Sequence, residues 1–239
     1  MGDRLRLWVE LVTKIMSVEL GDQDDSFIWC LTKHASFTVK SMYSDLMKIG
    51  YLPDRCVAWD LKVPLKIKKK LWYLKKGVIL TKDNLAKRNW KGDTKCCFCS
   101  SSETIQHLFF DCHVARFVWN AVYVVFGIQP PTSMSSLLGS WLGNFSRKLQ
   151  KHILVGASAL CWAIWLSRND VVFQKTIPNS YLQVIFRGTY WARCWSELSK
   201  VEEKLSLKKR ACSLESAVMA FYSKHGWNFR NRIEAASVL

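Results

Sequence analysis

The stretch Cys96–Cys112 reads CCFCSSSETIQHLFFDC, and it decides the fold expected for this chain. Cys96 and Cys99 form a C-x2-C pair, His107 follows after seven intervening residues, and Cys112 follows after four more. Two thiolates on a tight turn hold one side of a tetrahedral ion, and a His and a third Cys close the other side. A Cys3His set leaves no coordination position open. The spacing therefore predicts one structural zinc ion held by these four residues.

Two neighbouring residues leave alternatives open. Cys97 lies inside the C-x2-C pair and His113 directly follows Cys112, so either is able to replace one of the four ligands. The competing interpretation is a cluster of buried free thiols beside a core histidine. Ligand type and close spacing favour zinc over that interpretation.

Further motifs surround the cysteines in a fixed order. They are Phe37–Tyr43 (FTVKSMY), Trp59–Lys68 (WDLKVPLKIK), Leu71–Trp72, Leu80–Leu85 (LTKDNL), Glu103–Thr104, His107–Phe109 and Trp119. With these motifs, residues 25 to 125 resemble the reverse-transcriptase zinc-binding domain at the C-terminal end of plant non-LTR (LINE-type) retroelement proteins. The later stretch Ala163–Asp170 (AIWLSRND) resembles the tail that such retrotransposon proteins carry. In the family the second position of the C-x2-C turn is often proline, whereas this chain has Cys97.

The resemblance implies a function as well as a fold. It implies a zinc-stabilised domain that follows a reverse transcriptase and helps to hold RNA or DNA, with the choice between the two left open. The full-length relatives carry polymerase and endonuclease domains upstream. This chain shows neither, so we expect a fragment or truncated copy without catalytic activity.

Composition and charge agree with a partner that is a polyanion. The chain of 239 residues has 35 Lys and Arg against 19 Asp and Glu, a formal net charge of +16. Such a surplus attracts phosphate backbones and releases their counterions. Nine cysteines without a signal peptide at the start predict a reducing compartment, the nucleus or cytoplasm, and not secretion. The longest apolar run, Ile153–Leu166, is too short to span a bilayer and predicts a buried helix.

The second informative pattern is a basic helix that begins after Pro64. Its apolar residues Ile67, Leu71 and Leu74 recur at helical spacing, which predicts one buried stripe. The remaining surface is rich in lysine, and the candidate nucleic-acid-binding residues are Lys66, Lys68, Lys69, Lys70, Lys75 and Lys76. The alternative is a solvated helix whose basic residues bind nothing.

The fold class expected is mainly α with a short β-hairpin near the N-terminus. The hairpin is predicted from two β-prone runs, Phe27–Thr32 and Phe37–Val39, with residues 33–36 as its loop. We expect an N-terminal segment (1–24), a small zinc-stabilised helical domain (25–128) and, after Pro130 and Pro131, a helical C-terminal region (132–239). In that region a single helix is predicted from Tyr181 to Leu207, with Cys161 and Cys194 on apolar faces.

No catalytic pattern is recognisable in the sequence. It contains no Gly-rich phosphate loop, no polymerase aspartate pair in its usual context and no nucleophile with a matching base. The predicted function is a non-catalytic, zinc-binding and nucleic-acid-binding module derived from a retroelement. The alternative is a protein-interaction module, domesticated or truncated, that uses its tryptophan-rich helices. The sequence does not indicate the oligomeric state.

Overall fold

The computed structural model describes residues 2–17, 27–48, 56–176, 178 and 180–225. Its α-helices are α1 (Gly2–Met16), α2 (Val39–Lys48), α3 (Leu65–Lys75), α4 (Lys82–Ala86), α5 (His113–Phe126), α6 (Met134–Leu137), α7 (Arg147–Gln174), α8 (Leu182–Ser196) and α9 (Val201–His225). A 3-10 helix spans Val57–Asp60, and a π-helical turn spans His107–Asp111. The chain divides into two compact units, Met1–Asp54 and Arg55–Leu239.

The predicted N-terminal hairpin is wrong, because the described residues contain no β-strand. Residues 27–38 form a loop closed by a hydrogen bond from the Trp29 N–H to the Ala35 carbonyl (3.0 Å), and Val39 begins α2. The reason is a helix cap. The Thr38 hydroxyl accepts a hydrogen bond from the Ser41 N–H (3.1 Å), which satisfies a free donor of the first turn. This cap outweighs the weak β propensity of a three-residue run.

The basic helix forms as predicted. Pro64 lies at the N-cap of α3, where its missing N–H costs nothing, and Ile67, Leu71 and Leu74 are all buried. Helix α5 ends at Gly127, whose φ of 66° is a left-handed conformation that glycine adopts without strain.

The described part of the C-terminal region contains the short helix α6 and the three long helices α7, α8 and α9. The predicted helix from Tyr181 to Leu207 is in fact two, because the chain turns after Ser196 and α9 packs back against α8. The turn lets α9 bury an apolar stripe, formed by Leu207, Ala211, Leu214 and Val218. No proline or glycine marks the break. Cys161 is buried as predicted, whereas Cys194 is exposed.

Helix α7 contains the apolar run Ile153–Leu166 and lies between α3, α5, α8 and α9. It is long and apolar enough to cross a membrane by length and composition, and half of its most apolar window is buried inside the protein. Within the described residues no other helix meets those criteria. The structure therefore uses this helix as a core element, as the sequence predicted.

The second unit has one continuous core that joins the cysteine-rich region to the C-terminal helices. Trp119 of α5 is buried, its indole N–H donates to the Phe109 carbonyl (2.7 Å), and its ring packs edge-on against Trp141 at 5.8 Å. Residues before and after Pro130–Pro131 thus pack into the same hydrophobic core. The structure divides the chain between Asp54 and Arg55, and not at the proline pair.

Candidate zinc centre

The first two cysteines lie on a tight turn. The Cys96 N–H donates to the Ser101 carbonyl (2.7 Å), and Lys95 and Ser102 form an isolated antiparallel bridge that closes the turn. The Phe98 N–H points at the Cys96 Sγ (3.4 Å). A backbone N–H aimed at sulfur favours the thiolate, which is the form that binds metal.

The second pair of donors is positioned by the π-helical turn. Thr104 starts it, since its hydroxyl accepts a hydrogen bond from the His107 N–H (3.0 Å). The Cys112 N–H then donates to the His107 carbonyl (2.7 Å), which is the i to i+5 bond of a π-turn. This bond brings together two side chains that are five residues apart in sequence. The sequence predicted that His107 and Cys112 bind the same ion but did not indicate the π-turn.

Together the two segments place four donor atoms in one cluster. The Sγ atoms of Cys96, Cys99 and Cys112 and a ring nitrogen of His107 all lie within 4.8 Å of one another. The Cys96 and Cys112 sulfurs are 3.9 Å apart, and the Cys99 sulfur is 3.1 Å from the His107 Nε2. Sulfur ligands of a tetrahedral zinc ion lie about 3.8 Å from each other, given Zn–S bonds of about 2.3 Å. The cluster fits one zinc ion.

The surroundings of the cluster are apolar on its inner side. Cys96 and Cys112 are buried, and the adjacent side chains Phe98, Leu108 and Phe110 are buried with them. Cys99 and His107 are partly buried. Four protein donors of this kind are the usual ligand number of a tetrahedral structural zinc site.

Cys97 lies outside the group of four donor atoms. The thiols of Cys112 and Cys97 nevertheless both hydrogen-bond to Cys96, and these contacts lower the pKa of the Cys96 thiol. The contact with Cys96, together with burial, raises the pKa of Cys112. Thiols bind metal as thiolates, so zinc binding releases the protons that these cysteines carry.

Glu103 connects the zinc loop to α7 and was missed as a structural residue by sequence reasoning. Its carboxylate is fully buried and forms an ion pair with Arg168, with an Oε1 to Nη2 distance of 2.7 Å and further contacts from the Arg168 Nε at 3.2 and 3.3 Å. The same carboxylate accepts a hydrogen bond from the Lys82 N–H (3.0 Å) at the start of α4. Both partners stand in motifs that carry the family resemblance, but no local pattern indicates that they pair.

The six candidate lysines of α3 are not equivalent. The Lys70 Nζ lies 3.4 Å from the centroid of the Trp165 ring, and burial, with the nearby Arg168 charge, lowers the pKa of Lys70 to about 7. The Lys68 Nζ donates to the Trp59 carbonyl (2.9 Å), and the Lys66 Nζ lies 5.5 Å over the ring of Trp162. These three lysines contact the protein itself, although Lys66 is also exposed to solvent. The other three are exposed and pair with no carboxylate in the described part of the chain, namely Lys69, Lys75 and Lys76.

Comparison with known families agrees with this geometry. Residues 37–119 match the family of zinc-binding domains in reverse transcriptases. The matched reverse-transcriptase zinc-binding region includes all four donors of the cluster and helix α3, and it ends at Trp119. Searches among curated proteins and solved structures find no match to the chain. The family match and the donor geometry thus lead independently to a zinc-binding region.

Proposed function

We propose that this chain is a non-catalytic, zinc-stabilised module that binds the phosphate backbone of nucleic acid inside the cell. The observation that carries the proposal is a group of exposed lysines on α3 and at its end. Lys69 lies opposite the buried stripe, Lys75 is in the last turn, and Lys76 caps the helix. Exposed cations on a rigid helix are a usual means of contacting phosphates without reading sequence. The net charge of +16 supports it, because association with a polyanion is steered over long range.

The basic surface continues beyond α3 in the chain. Lys87, Arg88, Lys91 and Lys95 are exposed in the segment that leads into the zinc turn. Sequence analysis did not select these residues, although they lie between its two informative patterns. Of the four, Lys87 forms an ion pair within the described part of the chain, with Asp83 at 3.6 Å, and both partners are open to solvent. We propose that this segment extends the phosphate contact.

Zinc has a structural role in this proposal. The Cys3His set holds the turn and the π-turn together, so it fixes the loop through which Glu103 meets Arg168. The donor set has no open position for water. Zinc therefore contributes folding free energy, and hydrolysis of a bound nucleic acid is not expected.

The tryptophans of the C-terminal helices do not favour a protein-interaction function. Trp165 and Trp195 are buried, and Trp162 and Trp191 are half-buried and packed against the core. Residues in such positions stabilise the fold and offer little surface to a partner. The specific observations therefore support the phosphate-binding proposal, and an upstream reverse transcriptase domain is a partner expected of the longer relatives.

The salt dependence of binding tests the proposal. Replacing Lys69, Lys75 and Lys76 by glutamine is expected to weaken binding to duplex DNA and to reduce the slope of log K against log salt by up to about 2.7, at roughly 0.9 for each phosphate that is no longer neutralised. The measurement is fluorescence anisotropy with zinc-loaded protein between about 50 and 200 mM salt. Parallel titrations with an RNA hairpin and with single-stranded RNA determine which nucleic acid is preferred.

A matched variant separates specific contacts from bulk charge. Replacing Lys200, Lys209 and Lys224 by glutamine removes the same charge from exposed positions in the α8–α9 turn and on α9. We expect this control to lower affinity slightly and to leave the slope nearly unchanged. Equal slopes for the two triple variants would show that α3 is only a solvated surface. Salt-independent binding to another protein would instead support the interaction function.

A further inference from the structure

A cavity of about 80 Å³ lies between α5, α7, α8 and α9, and none of the four zinc donors lines it. A single water needs only about 10 to 15 Å³ of such space, so the cavity is several waters in size. Its walls are mainly aromatic and aliphatic, including Trp119, Phe126, Trp141, Leu160, Leu207 and Leu214. Apolar cavities of this kind stay dry and accept apolar molecules.

Two helix glycines line the cavity, and the packing of the helices requires glycine at only one of the two positions. A Cβ at Gly188 would lie 2.6 Å from the Leu160 Cδ2, so the close contact of α8 with α7 requires a glycine there. A Cβ at Gly156 would meet no atom within 4 Å. Gly156 stands in the middle of α7, where glycine costs about 1 kcal/mol relative to alanine. Gly156 thus borders open space in the cavity wall, and a larger side chain placed there would point into the cavity.

The polar groups around the cavity indicate the charge of that ligand. His152 lies 3.5 Å from the Glu203 carboxylate, and the Thr189 hydroxyl donates to the Glu215 carboxylate. That carboxylate is neutralised by its ion pair with Arg193. Arg210 is exposed at the rim, its guanidinium lies 5.9 Å from the centroid of the Phe126 ring, and in the described residues no carboxylate pairs with it. An apolar interior below an unpaired guanidinium suits a molecule with an apolar body and an anionic head.

We propose that this cavity is a binding site for a short branched carboxylate, with the hydrocarbon part inside and the carboxylate at Arg210. The cavity volume limits the size of the ligand. An engineered cavity of about 150 Å³ accepts benzene, so a cavity of roughly half that volume holds a hydrocarbon group of about three to five carbons. Burial of so few carbons with one charge-assisted hydrogen bond corresponds to a Kd of the order of 1 mM. The site is independent of the nucleic-acid proposal.

Thermal unfolding of the zinc-loaded chain tests the proposal with 3-methylbutanoate as the probe. At about ten times the Kd, the expected rise in Tm is about 3 to 5 °C, saturating with concentration. Acetate at equal concentration controls for general salt effects, and 3-methylbutylamine has the same body with the opposite charge. Neither control should produce a saturable rise. No saturable rise with 3-methylbutanoate, or an equal rise with the amine, overturns the proposal.

Two substitutions locate the site. Gly156→Leu fills the cavity and should abolish the probe-dependent rise, while Gly156→Ala adds helix propensity, leaves most of the space and should retain it. If Gly156→Leu fails to fold, Ala211→Leu fills the same cavity from α9, because Ala211 also lines it. Arg210→Met should remove the preference for the carboxylate over the amine. A probe-dependent rise that survives cavity filling places the ligand elsewhere and contradicts the assignment.

Discussion

Replacing Arg168 by methionine is expected to lower the free energy of unfolding by about 3 to 5 kcal/mol, because it leaves the buried Glu103 carboxylate without its counter-charge. The Glu103 side chain is 0 % exposed and that of Arg168 is 2 % exposed, so water cannot replace the missing partner. The measurement is urea denaturation of the zinc-loaded protein at pH 7. We expect the midpoint to fall without a large change in slope, since the same surface is exposed on unfolding.

The matched control is Arg193→Met. Arg193 pairs with Glu215 at the same distance of 2.6 to 2.7 Å as the buried pair, but its side chain is 33 % exposed and that of Glu215 is 20 % exposed. Partly solvated pairs contribute about 1 kcal/mol or less, so this variant should change stability little. Replacing Glu103 together with Arg168 by methionine should restore part of the stability, because no charge is then buried alone. A decrease below about 1 kcal/mol for Arg168→Met would contradict the importance assigned to the buried pair.

The second large effect is expected on removal of zinc. The stretch between Gly92 and Cys112 has few apolar residues before Leu108, so packing alone cannot order it. Structural zinc contributes about 10 to 16 kcal/mol of binding free energy in small zinc-dependent domains, which is comparable with the whole stability of a domain. Cys112→Ser is therefore expected to unfold residues 92–112. Removing zinc from the wild type with a chelator should have the same effect.

Hydrogen exchange followed by mass spectrometry measures how far this unfolding spreads. Amides of residues 92–112 should lose protection, while those of α8 and α9, which pack on each other, should keep theirs. The middle of α7 should lose part of its protection, since Glu103 no longer holds Arg168. Cys161→Ser is the control, because Cys161 is buried in the core and is not a member of the donor cluster. Uniform loss of protection along the whole chain would show that zinc supports the entire fold.

The sequence was informative wherever a local pattern has one physical meaning. The spacing of Cys96, Cys99, His107 and Cys112 predicted a cluster that the structure assembles, because thiols and an imidazole at such short separations can close around one ion. The stripe of Ile67, Leu71 and Leu74 predicted the buried face of α3, because apolar residues at this spacing lie on one side of a helix.

The sequence was misleading where a weak local preference competed with a cap or with tertiary packing. The run at Phe37–Val39 favours a strand, but the Thr38 cap starts a helix there. The break after Ser196 has no breaker residue and exists because α9 gains an apolar partner by folding back. The Glu103–Arg168 pair joins residues far apart in the chain, and no periodicity connects them.

For the candidate nucleic-acid-binding residues, the sequence predicted the lysines but not their surroundings. A run of lysines predicts a basic helix, but it does not distinguish lysines that face solvent from those that face the protein. The packing of α7 against α3 shows that Lys66 and Lys70 lie over tryptophan rings. Lys68 donates to the Trp59 carbonyl, which leaves three candidates for a phosphate contact: Lys69, Lys75 and Lys76.

Zinc content, determined by elemental analysis of protein purified under reducing conditions, directly tests the assignment of the four zinc ligands. We expect about one zinc per chain in the wild type and in Cys97→Ser, because Cys97 is outside the group of four donors. We expect no stoichiometric zinc in the serine variants of Cys96, Cys99 and Cys112 or in His107→Ala. Zinc retained by Cys96→Ser but absent from Cys97→Ser, or a wild type without zinc, would contradict the assignment.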